Sequence, residues 1–176
     1  MRNALLSTIV ASLLAAGAAQ AADTSNGGPI RGCLDAASRA YRVPPAILVI
    51  LLNVEGGALG AVSRNTNGTV DIGPMQVNQT WVPQVAAHWS TTNDRAYRAL
   101  RDNFCANLEA GAWILRQGLD EAHGDFWEGV GFYHSPDPSH KQAYLRSVLQ
   151  QVLRLRPQLP AARAATATAG ATPGGG

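Results

Sequence analysis

Apolar side chains recur at helical spacing over most of the chain, and one segment is denser than the rest. It is PPAILVILLNV, Pro44 to Val54, and no ionisable side chain lies between Arg42 and Glu55. Such a run is built for the interior, and its paired prolines suit a first helical turn, so a buried core helix ending at Glu55 is expected. Upstream, Cys33, Ala36, Ala37, Ala40 and Tyr41 predict a shorter helix that the prolines break. Downstream, Cys105, Leu108, Ala112, Leu115 and Leu119 form an i, i+3, i+7 stripe, a second core helix stopped by the EAHGD turn at Gly124.

Shorter helices fill the remainder. Trp81 to Trp89 predicts one with Pro83 in its first turn, and Thr91, Thr92 or Asn93 caps another reaching about Arg101. Asp125 caps a helix carrying Phe126, Trp127, Val130 and Tyr133; after the SPDPS break, Ser139 caps a last one through Leu155. Strand signals are confined to RNTNGTVDIG, Arg64 to Gly73, where Asn67-Gly68 marks a hairpin. The pattern therefore reads as mainly α with a small β-hairpin, in a single domain without internal repeats.

The chain ends differ in kind. Residues 1–21 hold Arg2, an apolar run from Ala4 to Ala16 and the small-residue site Ala19-Gln20-Ala21, the make-up of a secretory signal peptide. The run is shorter than the ~20 residues a spanning helix needs, so cleavage is expected, with no membrane insertion afterwards. Residues 22–30 read as a flexible lead-in and 31–156 as the folded domain. Residues 157–176, rich in Ala, Thr, Pro and Gly with no large side chain after Leu159, read as a disordered tail.

Export changes the meaning of the two cysteines, Cys33 and Cys105. An oxidising compartment favours a bridge between them, the alternative being two separate buried thiols. The formal charge of +2, part of it Arg2 in the leader, is too small to argue for nucleic acid or an anionic membrane as partner. The histidines His88, His123, His134 and His140 show no metal-ligand spacing, so neither a metal nor another cofactor is expected.

Candidate chemistry gathers just after the apolar helix. Glu55 is the first charge beyond a dry segment; desolvation and the negative end of the helix dipole both raise a carboxyl pKa, the profile of a general acid. On the following strand, alternation sends Val70 and Ile72 to one face and Asp71 to the other, which faces a cleft if the aliphatics face the core. Gly73 permits close backbone approach, and Gln76 and Asn78 carry amides suited to sugar hydroxyl and acetamido groups. Tyr133, at a helix end, reads by itself as a half-buried tyrosine with a backbone partner for its hydroxyl.

The order Glu55, NTNGTVDIG, PMQVN and then FYHS at Phe132 to Ser135 resembles the lysozyme-like superfamily. Within it the nearest likeness is to the specialised lytic transglycosylases that serve bacterial secretion, conjugation and pilus machines. The resemblance spans Cys33 to roughly Tyr144. It implies a lysozyme-like single domain with Glu55 as acid and base, Asp71 as the second carboxylate, and Met75, Gln76, Asn78 and Tyr133 lining a groove for peptidoglycan glycan strands. It also implies components of an envelope-spanning machine as partners; the leader and the paired cysteines predict a periplasmic location, and a monomer is expected. Three positions depart from the family pattern: Gly56 stands for a serine, Pro74 for an aliphatic residue and His134 for an asparagine. A hydrolytic muramidase using Asp71, or a peptidoglycan-binding module without turnover, are the other readings.

Overall fold

The computed structural model describes residues 28–156. The expected signal peptide, most of the lead-in and the tail lie outside the described residues. Helix α1 (Gly28–Tyr41) leads into α2 (Pro45–Glu55). A small sheet follows, made of β1 (Val62–Arg64), β2 (Val70–Ile72) and β3 (Val77–Asn78). After one 3₁₀ turn (Gln79–Trp81) come α3 (Val82–His88), α4 (Asn93–Asp102), α5 (Phe104–Glu121), α6 (Phe126–His134) and α7 (Pro138–Leu155). The fold is mainly helical, as the hydrophobic spacing predicts.

Helix α5 is the axis, packing against α1, α4 and α6, while α2 lies against α7 and α1. The core joins Leu48 and Leu51 of α2 to Leu108 and Leu115 of α5, with Val130 from α6 and Val148 from α7. Cys33 on α1 and Cys105 on α5 are disulfide-bonded, with their Cα atoms 5.2 Å apart, so the bridge ties the first helix to the axial one.

Local chemistry explains most boundaries. Pro45 opens α2, and Gly56 closes it in the left-handed region (φ 62°), its N–H donating to the Leu52 carbonyl, so the chain turns away directly after Glu55. Thr92, Asn103 and Asp125 each accept a backbone N–H at the start of α4, α5 and α6.

Three expectations are corrected. First, α1 begins at Gly28, three residues before the expected domain start near residue 31. Second, Asp137 and not Ser139 caps α7; Pro138 takes the first helical position, which leaves Asp137 to accept from the N–H groups of Ser139 (2.9 Å) and His140 (3.0 Å). Third, the hairpin gains a third strand: β3 is antiparallel to β2, with Asp71 opposite Asn78 and Ile72 opposite Val77. Two residues are too few to leave an alternating pattern in the sequence.

The hairpin loop is not a two-residue turn. Arg64 pairs with Val70, the Asn65 N–H donates to Thr69 O (2.9 Å) and the Gly68 N–H to Asn65 O (3.1 Å). Gly68 sits at φ 85°, the bulge position of a three-residue loop that only glycine occupies without strain.

Candidate active site

Glu55 ends α2 at the wall of a cleft of about 630 Å³. Asp71, Gln76, Asn78, Tyr133 and His134 also line it. Burial raises the Glu55 pKa from 4.5 to about 7, opposed by a hydrogen bond from Tyr144 and assisted by the nearby charge of Asp71. The Tyr144 hydroxyl donates to Glu55 Oε1 at 2.6 Å. The Tyr144 ring is fixed in turn by His134, stacked on it at 4.5 Å with 4° between planes. Burial pushes the Tyr144 hydroxyl pKa up, so it remains a donor, and lowers that of His134, favouring the neutral ring.

Asp71 is held in place by amides. Asn65 Nδ2 donates to Oδ2 (2.9 Å) and Asn78 Nδ2 to Oδ1 (2.7 Å), one donor per carboxylate oxygen. The hairpin makes this possible: Ile72, next in the strand, is fully buried, so alternation turns Asp71 to the cleft.

Two expected groove residues do something else. Met75 is fully buried: its side chain packs against Gly111 of α5, and only its carbonyl turns outward to accept from the Tyr133 hydroxyl (2.8 Å). The cause is Asn107, also fully buried, which accepts from the Met75 N–H (2.7 Å) and donates to the carbonyls of Ile72 and Leu100 (both 2.9 Å). That amide clamps the loop after β2 onto α4 and α5 and drags the methionine inward. Asn78 lines the cleft, but its amide is spent internally: Nδ2 on Asp71 and Thr69, Oδ1 on the Thr80 N–H and hydroxyl. It positions Asp71 and offers little to a ligand.

Gln76 stays in the cleft in the left-handed region (φ 47°), with Nε2 donating to the Gly73 carbonyl (2.8 Å); among the described residues its side-chain oxygen has no donor. Tyr133 lines the cleft with its ring while its hydroxyl takes a backbone partner, as its own sequence context suggests. Sequence reasoning missed Asn65, Asn107 and Tyr144. Asn65 sits in the hairpin motif and was within reach; Tyr144 lies 89 positions from Glu55 on an ordinary amphipathic helix, where nothing local marks it.

Among the described residues, no group of three or more His, Cys, Asp or Glu side chains is arranged to hold a metal ion, and no helix is long and apolar enough to cross a membrane. A helical domain with a carboxyl at the end of a core helix, facing a small sheet across a polar cleft, is a lysozyme-like domain. Residues 32–148 match the family model of the Transglycosylase SLT domain, and the chain belongs to that family, whose substrate class is peptidoglycan. No curated protein sequence matches the chain.

Proposed function

We propose that the protein is a lytic transglycosylase that cuts the β-1,4 bond between N-acetylmuramic acid and N-acetylglucosamine and leaves a 1,6-anhydro end. The observation that carries this reading is Glu55: a carboxyl with a pKa near 7, one hydroxyl donor on it, and a second carboxylate sharing its cleft. A group so poised gives and takes a proton at neutral pH with little driving force lost either way.

The steps balance without water. Protonated Glu55 donates to the glycosidic oxygen, the bond to the muramic acid C1 breaks, and positive charge develops on that sugar. Asp71, held in place by Asn65 and Asn78, stabilises that charge. The Glu55 carboxylate then takes the proton of the muramic acid 6-hydroxyl, whose oxygen bonds to C1 and closes the anhydro ring. Glu55 ends protonated, ready for another cycle.

The wider role we infer is local opening of the wall, in the periplasm after signal-peptide removal, for a secretion, conjugation or pilus machine. Its support is the motif order and the leader at residues 1–21. A hydrolytic outcome is the second reading, favoured by the presence of Asp71 in the cleft. Digestion of purified sacculi by the wild type and by Glu55→Gln tests the assignment: the variant is expected to lose turnover by several orders of magnitude and still bind. A variant active within a few-fold of wild type overturns the role of Glu55, and co-purification of the inactive variant with envelope components tests the partner.

A further inference from the structure

Charge is unevenly distributed in the cleft. Of the described residues that line it, Glu55 and Asp71 are acidic, and His134 and His140 alone can carry positive charge. Both imidazoles come from one stretch, the end of α6 and the first turn of α7, and the proton chemistry of Glu55 uses neither. His134 stands where the family pattern has an asparagine, so a side chain that can gain a charge replaces one that stays neutral.

This wall is built of donors. The His134 ring is held parallel to that of Tyr144, at 4.5 Å and 4°, yet the residue remains exposed. Ser135, beside it in the cleft lining, accepts the Asp137 N–H at 3.1 Å, and its own hydroxyl proton remains to be given to a ligand. His140 has Asp137 Oδ1 at 3.9 Å from its Nδ1, a contact that leaves Nε2 to the cleft side chains' common ligand.

A neutral sugar gains little from an ionisable donor, whereas a carboxylate gains a charge-assisted hydrogen bond. On the glycan reading the strand supplies one. Muramic acid differs from N-acetylglucosamine by an ether-linked lactyl group, whose carboxyl is either free or joined to a peptide with carboxylates of its own. Within the protein, burial and the neighbouring His140 lower the His134 pKa, against the pull of Asp71. The titratable groups that face it are Tyr144 and His140 of α7 and Asp71 of β2, while α5 brings only Ile114 to the cleft lining. A bound carboxylate favours the imidazolium, and the face of the Tyr144 ring accommodates that cation.

We propose that His134, with Ser135 and His140, forms a carboxylate-binding site that selects glycan strands by an acidic group carried on muramic acid. This deepens the glycan reading of the cleft and rests on it. Binding of the acid draws a proton onto the imidazole wall, so the preference for anionic strands is present at low pH and is lost as pH rises.

The test uses the full protein carrying Glu55→Gln, which does not cut the strand and does not titrate at position 55. Its affinity for soluble glycan strands is measured by calorimetry at about pH 5.5 and about pH 8, the range in which histidine ordinarily changes charge. Two pairs of probes are compared: peptide-free strands with lactyl carboxyls bare or capped as methylamides, and peptide-bearing strands with the peptide carboxyls bare or capped. In one pair the bare strand is expected to bind about tenfold tighter than the capped one at the lower pH, and within about threefold at the higher. A difference in the first pair assigns the lactyl carboxylate as the ligand, and one in the second assigns the peptide. Adding His134→Asn is expected to bring that pair to within about twofold, with His140→Gln in between. If the Glu55→Gln parent binds no strand, the glycan reading falls and the carboxylate site with it. If the parent binds bare and capped strands alike, or its preference persists in His134→Asn, the carboxylate site alone is overturned.

Discussion

The hydroxyl of Tyr144 lies 2.6 Å from Oε1 of Glu55, joining the last described helix to the end of the core helix across the site. Burial raises the Glu55 pKa, and this donor restrains the rise by stabilising the anion, with the outcome at about 7. Tyr144→Phe removes only the donor. The Glu55 pKa then rises further, by about one unit on the scale of a hydrogen bond to a charged group. The alkaline limb of kcat/KM, where protonated Glu55 is lost, is expected to move up accordingly. A limb that stays in place, read from pH profiles of sacculus digestion, contradicts the coupling.

A raised carboxyl pKa is also a statement about stability. Glu55 titrates near 7 in the folded state against about 4.5 unfolded, so its contribution is fully present below about 4.5 and is lost as pH rises through about 7. Above that window the buried anion costs roughly 3 kcal/mol. Glutamine does not titrate. The Tm of Glu55→Gln minus that of wild type should therefore grow by several degrees between pH 4.5 and 8. A difference independent of pH would mean that Glu55 is not held with a raised pKa.

Asp71→Asn tests the second carboxylate. The new amide must place an NH₂ group against Asn65 or Asn78, which both donate to the native side chain, and the negative charge near the reacting carbon disappears. Turnover is expected to fall about a hundredfold, the scale of removing one electrostatic stabiliser. Because the Asp71 charge also raises the Glu55 pKa, the alkaline limb should move down, opposite to Tyr144→Phe. Shifts of the same sign in the two variants refute this layout.

The Cys33–Cys105 bridge closes a separation of 72 positions. Constraint of the unfolded chain on that scale contributes about 4 kcal/mol. The double variant Cys33→Ser/Cys105→Ser should melt on the order of 10 °C lower, measured by circular dichroism. A loss under 2 °C or so would mean that the bridge adds little to the packing of α1 on α5.

Much of this fold is written locally. The apolar run before Glu55 and the stripe from Cys105 to Leu119 become α2 and α5, and Asn67-Gly68 announces the hairpin whose alternation turns Asp71 to the cleft. What the chain hides is depth and distance. Met75 sits in a polar run that says nothing of the Asn107 clamp pulling it inward, and Asn78 looks like a free amide until its partners are assembled around Asp71. Tyr144 reads as one more apolar position of α7, because its contact with Glu55 exists only once α7 has packed on α2. Ser139 and Asp137 are equally good capping residues by type, and Pro138 at the first helical position gives that place to Asp137.

The most direct measurement of the central claim is the chemistry of the cut ends. Purified sacculi are digested with wild-type protein, and the soluble muropeptides are separated by chromatography and weighed by mass spectrometry without prior reduction. If Glu55 returns its proton through the muramic acid 6-hydroxyl, the new ends are 1,6-anhydro and each fragment is lighter by one water than its reducing counterpart, with none of it formed by Glu55→Gln. Predominantly reducing ends would instead make the protein a hydrolase and contradict the transglycosylase account.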